Sequence, residues 1–139
     1  MNDKKTISTY PNKRIKIETY KEDDTLVTKF YYDARDAYVK ELTKETDGTK
    51  DVKHFSMDGV LSKQEYFVDG KRHGVETRYL VSKAEKTIKS TKTYFEGKLH
   101  GDCFTYNSLG GIIKQEVFVN GKIQPKAEPE SQDELQEED

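Results

Sequence analysis

The chain has 139 residues, enough for one domain, and a formal net charge of -2. Apolar residues make up only 32% and charged residues 36%, which excludes a thick, two-sided core, yet nine Tyr and six Phe are too many aromatics for a disordered chain. The single Cys103 excludes an internal disulfide and any C-x-x-C metal pattern.

The N-terminal stretch "MNDKKTISTYPNKRIKIETY" has no apolar h-region, so no signal peptide is expected, and no run approaches the length of a transmembrane helix. A cytoplasmic protein is the expectation. "RIKIETY" then alternates, with Ile15, Ile17 and Thr19 on one parity. "TLVTKFYY" places Leu26, Phe30 and Tyr32 on one parity. Such period-two patterning in β-branched and aromatic residues predicts strands. The stretch Asp33 to Gly48 is ambiguous. Ala34, Ala37, Tyr38 and Leu42 have helical spacing behind a capping Asp33, but the flanking rhythm favours a strand or hairpin.

A long phrase follows and recurs. "KQEYFVDGK" begins at Lys63 and "KQEVFVNGK" at Lys114, 51 residues later. A second match at half that period relates "FVDGKRHGVETRY" to "YFEGKLHGDCFTY", with Gly70 answering Gly97 and Gly74 answering Gly101. The underlying unit is about 25 residues and carries two turns, which points to a repeat architecture. Asp58–Gly59, Asp69–Gly70, Glu96–Gly97 and Asn120–Gly121 mark turns, since Asp-Gly and Asn-Gly supply the positive φ of tight hairpins. Between them, "VETRYLV", "TIKSTKTYF" and "GIIKQEVFV" read as strands. The expected fold is an elongated, all-β antiparallel hairpin meander of about nine strands over residues 1–123. It is stabilised by neighbour-on-neighbour packing. Residues 124–139 carry seven acidic residues and one lysine, leaving a mildly basic body, and are expected to be a disordered acidic tail. Within "KQEYFVDGK", Lys, Gln and Glu are read as the wet face and Phe67 as the packed one.

The repeat core, aromatic-x-x-G-K-x-x-G with an aromatic at its far end, resembles the MORN-repeat variant of bacterial proteins. Phe67, Gly70, Lys71, Gly74 and Tyr79 match it in one copy, and Tyr94, Gly97, Lys98, Gly101 and Tyr106 in the next. "FVNGKIQP" begins a third copy and departs at Pro125, and an N-terminal copy has Lys13 where a turn glycine is expected. The resemblance implies a chain of β-hairpins. It includes antitoxin-like components of toxin–antitoxin pairs, together with scaffolds and lipid-contacting proteins.

The candidate partner-binding residues are Tyr66, Lys71, Arg72, His73, Tyr94, Lys98 and His100. Tyr66 adjoins Phe67 and Tyr94 adjoins Phe95, so one member of each pair must face outward or meet a second layer. His73 and His100 hold equivalent places, expected about 19 Å apart at a strand spacing near 4.8 Å, too far to share a metal. Lys71, Arg72 and Lys98 suit an acidic or anionic surface. No P-loop and no Ser–His–Asp order is present, Cys103 has no evident activating partner, and the remaining carboxylates are read as solvated strand faces. The expectation is therefore a non-enzymatic protein with no catalytic residues, cofactor or metal. It would bind another protein, a toxin or an enzyme that it inhibits. The alternative is a scaffold on anionic lipid. Nucleic acid is not expected, because no basic block interleaved with aromatics occurs. Pairing of copies through edge strands is open.

Overall fold

The period-two segments form strands, and the turn dipeptides set where each strand reverses. A computed structural model describes residues 4–35, 38–80 and 87–125. The strands are β1 (Lys5–Thr9), β2 (Ile15–Glu22), β3 (Thr25–Tyr31), β4 (Val39–Thr46), β5 (Thr49–Phe55), β6 (Leu61–Val68), β7 (Lys71–Arg72), β8 (Gly74–Tyr79), β9 (Ile88–Phe95), β10 (Lys98–Leu99), β11 (Gly101–Tyr106), β12 (Ile112–Val119) and β13 (Lys122–Ile123). All belong to one antiparallel sheet whose neighbours follow chain order. The sheet is open and does not close into a barrel, so the molecule is an elongated meander.

Thirteen segments replace the nine expected. The difference lies in short edge pieces and in two bulged strands. β7 and β8 are one strand interrupted at His73–Gly74: Phe67 pairs with Arg72, but the register has moved by two residues where Lys63 pairs with Arg78. β10 and β11 repeat the interruption at His100–Gly101. Gly101 sits at φ 113, and a Cβ there would lie 3.2 Å from Cγ2 of Thr93, so the bulge requires glycine. The ambiguous 33–48 segment holds the strand β4; residues 36 and 37 lie outside the described residues. Most of the acidic tail, from residue 126 on, also lies outside them.

Two kinds of turn alternate along the chain. Asp47–Gly48, Asp69–Gly70, Glu96–Gly97 and Asn120–Gly121 have positive φ at both positions, the two-residue type that matches strand twist. These turns are tied to one another: Asp69 N–H donates to the Gly48 carbonyl at 2.7 Å, Gly97 N–H to that of Arg72 at 2.8 Å, and Gly121 N–H to that of Leu99 at 2.7 Å. At the other strand ends lie longer loops. Gly59 and Gly110 take the left-handed position in two of them, and each donates its N–H back to the residue that opens its loop. Lys13 fills that same position in the first loop at φ 72, donating to the Tyr10 carbonyl. It stands where the sequence led one to expect a glycine.

A single layer buries side chains only against their neighbours in the sheet. Val27 alone is completely buried among large side chains, and Val52, Leu61 and Cys103 complete the buried apolar set among the described residues. Lysine ammonium groups lie over aromatic rings along the sheet, as with Lys29 over Tyr20, Lys40 over Tyr32 and Lys50 over Phe67. The aliphatic part of a lysine covers apolar surface while its ammonium stays wet, which is how a chain this polar hides its rings.

Candidate functional site

Residues paired across antiparallel strands share a face, so the register sorts every side chain. In the C-terminal half the two faces are chemically distinct. One carries Val52, Lys63, Glu65, Phe67, Arg72, Glu76, Arg78, Tyr94 and Cys103. The other carries Tyr66, Lys71, His73, Val75, Phe95, Lys98 and His100.

The first face buries its two carboxylates beneath half-exposed cations, and its centre is ionic. Glu65 and Glu76 are each only 5% exposed. Arg72 clamps Glu65, with Nη2 donating at 3.1 Å and Nε at 3.3 Å, and lies 3.7 Å from Glu76. Its guanidinium also stacks between the rings of Phe67 and Tyr94, at 5.8 and 5.7 Å. His54 Nε2 lies 2.9 Å from Glu65, Lys63 Nζ at 3.5 Å, and Arg78 Nε donates to Glu76 at 3.1 Å. Burial pushes the Glu65 carboxyl upward, but the hydrogen bond with His54, the charge of Lys63 and the hydrogen bond from Arg72 outweigh it and hold the group below the usual glutamate range. The ionised carboxylate only accepts, so the His54 proton faces it on Nε2. Burial, together with Glu76, raises the Tyr94 phenol.

These two glutamates overturn one expectation. Glu65 shares parity with Phe67, so it belongs to the packed face and not to a wet one; only Gln64 lies on the side of Tyr66. The reading of the carboxylates as solvated strand faces fails at Glu65 and Glu76. The available signal was parity itself: Glu65 lies two positions from Phe67, and Glu76 two from Arg78.

The second face is exposed and partly apolar. Val75 is 52% exposed, Phe95 49% and Tyr66 39%. Each aromatic pair therefore turns one ring outward, Tyr66 and Phe95, while Phe67 and Tyr94 pack on Arg72. His73 and His100 flank Phe95, with ring centroids 5.2 and 6.0 Å from it. They stand two strands apart with one ring between them, nearer than the 19 Å expected from counting two hairpin widths at 4.8 Å per strand. The repeat of 27 residues spans one hairpin, not two. Asn120 N–H donates to His100 Nδ1 at 3.1 Å, so that nitrogen acts as acceptor. Among the described residues no cluster of His, Cys, Asp and Glu has the geometry of a metal site.

Of the seven candidate residues, Tyr66, Lys71, His73, Lys98 and His100 thus share the exposed strip. Arg72 and Tyr94 fall on the opposite face, inside the ion network. A shallow cavity of about 200 Å³ adjoins the strip at the tight turns, lined by Val68, Asp69, Lys71, His73 and Glu96.

Among the described residues, no helix is long and apolar enough to cross a membrane. No family model matches the chain, and no curated protein matches it. Among solved structures it is similar to a point mutant of S. aureus TarM in a ligand complex, at 17% identity and a TM-score of 0.49 over 74% of this chain and 20% of that one. A further crystal structure of TarM gives 17% identity and a TM-score of 0.46 over 90% of this chain and 21% of that one. The chain spans about a fifth of the length of the TarM chains it matches. At this level of similarity nothing of TarM's activity transfers to it.

Proposed function

We propose that the protein is a non-catalytic, cytoplasmic interaction module that binds another protein through the exposed strip and covers a functional site on it. The carrying observation is the outward placement of Tyr66, Val75 and Phe95 on the face opposite the ion network. Rings and branched side chains left in water on a rigid sheet are the groups that anchor protein interfaces. His73, His100, Lys71 and Lys98 edge that strip with polar and cationic groups, the arrangement of an apolar centre within a polar rim. The MORN-variant resemblance supports an inhibitory, antitoxin-like role, with a steric mechanism. Affinity capture from the source cells tests this with two baits, the wild type and a Tyr66→Lys/Phe95→Lys double variant. The reading requires a stoichiometric protein held by the wild type and lost by the folded variant. Equal capture by both baits contradicts it.

A second reading has its own observation. Lys71, Lys98 and Lys122 each follow a turn glycine and pair with a residue of the exposed face, giving a regular cationic edge. Such an edge suits a scaffold on an anionic membrane surface. Flotation with phosphatidylserine vesicles separates the readings: salt-sensitive binding that is lost in a Lys71→Gln/Lys98→Gln variant favours the membrane.

A further inference from the structure

At the opposite strand ends from the tight turns, the sheet forms a second cavity of about 390 Å³. It is lined by His54, Ser62, Lys63, Arg78, Tyr79 and Lys89. Three permanent cations, an imidazole and two hydroxyl-bearing residues line it; among the described residues no carboxylate does, and the half-exposed Glu41 lies 3.8 Å from His54 Nδ1. In a chain where acids outnumber bases, that lining is a local exception.

The acids that balance these cations stand behind them. Lys63 is held from one side by Glu65 at 3.5 Å, and Arg78 from one side by Glu76 through Nε at 3.1 Å. Both glutamates are buried, so the carboxylates orient the cations without themselves reaching the cavity. Arg78 spends only Nε on this contact, which leaves its terminal amino groups as donors among the described residues. Ser62 Oγ donates to the His54 carbonyl and retains its lone pairs. Lys89 makes no ion pair among the described residues. The cavity is also fixed in the backbone: β5 pairs with β6 through a register shift at His54/Phe55, and β8 with β9 through one at Arg78/Tyr79, so bulges aim these side chains together at the strand ends.

We propose that this cavity binds a phosphoryl dianion, free or carried on a larger molecule, with Lys63, Arg78 and Lys89 as its charge partners and the Tyr79 hydroxyl as a further donor. A carboxylate is satisfied by one bidentate partner, whereas three separated cations about one open volume match a group with several terminal oxygens and two charges. The volume exceeds that of inorganic phosphate and leaves room for an ester or a second phosphoryl group. Buried glutamates behind the cations supply the orientation that a free lysine or arginine lacks. The site uses the strand ends remote from the exposed strip, so it stands whichever partner the strip takes.

The test titrates the full chain with inorganic pyrophosphate, followed by amide chemical shifts, and in parallel floats it with vesicles containing phosphatidic acid. Three proteins are compared: wild type, Lys89→Gln, and Lys71→Gln/Lys98→Gln. Lys89 takes part in no ion pair among the described residues, so its variant keeps the fold; Arg78→Gln serves as a second variant, checked for folding first. The expected result is saturable pyrophosphate binding with shifts centred on His54, Lys63 and Arg78. It weakens about tenfold in Lys89→Gln, as the loss of one charged hydrogen bond implies, and is unchanged in the Lys71/Lys98 variant. Binding of the vesicles alone, lost in Lys89→Gln, upholds the site and assigns the phosphoryl group to a lipid. No binding of either probe, or binding indifferent to Lys89→Gln, overturns the proposal.

Discussion

Glu65 and Glu116 are the same residue in two copies of one phrase, and they differ in what surrounds them. Glu65 is enclosed by His54, Lys63 and Arg72. Glu116 has Lys114 at 3.5 Å and lies in a strand whose outer side is covered only near its end by β13. Removing Glu65 takes away charge-assisted hydrogen bonds to cations that are themselves partly exposed, a loss of about 2 kcal/mol, while an exposed pair contributes about 0.5 kcal/mol. Urea denaturation at neutral pH should therefore show Glu65→Gln strongly destabilised and Glu116→Gln nearly unaffected. Equal losses would place Glu65 outside the core. The pH dependence follows from the same contacts. The folded-state value of Glu65 lies below the ordinary 4.5, so its contribution is fully present above that value and is lost as pH falls through the folded one. Wild-type stability should decline on acidification below the ordinary range, with a shallower decline in Glu65→Gln.

At the scale of turns and strands, the alternation of loop types explains why one glycine can be absent. Gly59 and Gly110 relieve a left-handed backbone, and Lys13 adopts φ 72 with a Cβ in place. That conformation costs a non-glycine residue about 1 kcal/mol, partly offset by the chain entropy of glycine. Lys13→Gly should raise stability by about 0.5 kcal/mol, seen as a higher urea midpoint with unchanged slope; a lower midpoint would mean that the lysine side chain contributes more than the strain it bears. Part of this was legible in the sequence because turn chemistry is local: Asp69–Gly70 and Asn120–Gly121 announce positive φ before any fold is known, whereas the same dipeptide at Asp58–Gly59 belongs to a longer loop in which only Gly59 adopts it. The repeat spacing and the outward turn of one ring in each of Tyr66–Phe67 and Tyr94–Phe95 were equally accessible, since both follow from a period of two. The bulges at His73 and His100 were not, because nothing in "GKRHG" shows that the register slips there. The burial of Glu65 and Glu76 was also missed. Charge is no proxy for water here, because in a thin sheet the side chains that can cover one another include long cations folded onto carboxylates.

The C-terminal half inverts the usual assignment of faces, whereas in the N-terminal half the fully buried Val27 lies on the same side as Tyr66. A ribbon one layer thick has no second sheet to press apolar groups against, so in this half the more enclosed side sets Val52 and Cys103 beside carboxylates paired with cations, with Arg72 lying between two rings. The apolar groups on the other side remain open to a partner. In the C-terminal half the ionic side holds the fold and orients the cations of the second cavity, and the apolar side is exposed for binding. Val75 and Glu76 are consecutive and point to opposite sides, at 52% and 5% exposure, so they test this directly. Equilibrium urea denaturation of Val75→Lys and Glu76→Gln, each against wild type, is the measurement. Val75→Lys is expected to stay within about 0.5 kcal/mol of wild type, as an exposed surface substitution does, and Glu76→Gln to lose about 2 kcal/mol with its charge-assisted hydrogen bond to Arg78. The reverse order, with lysine at 75 unfolding the chain and glutamine at 76 tolerated, would contradict it.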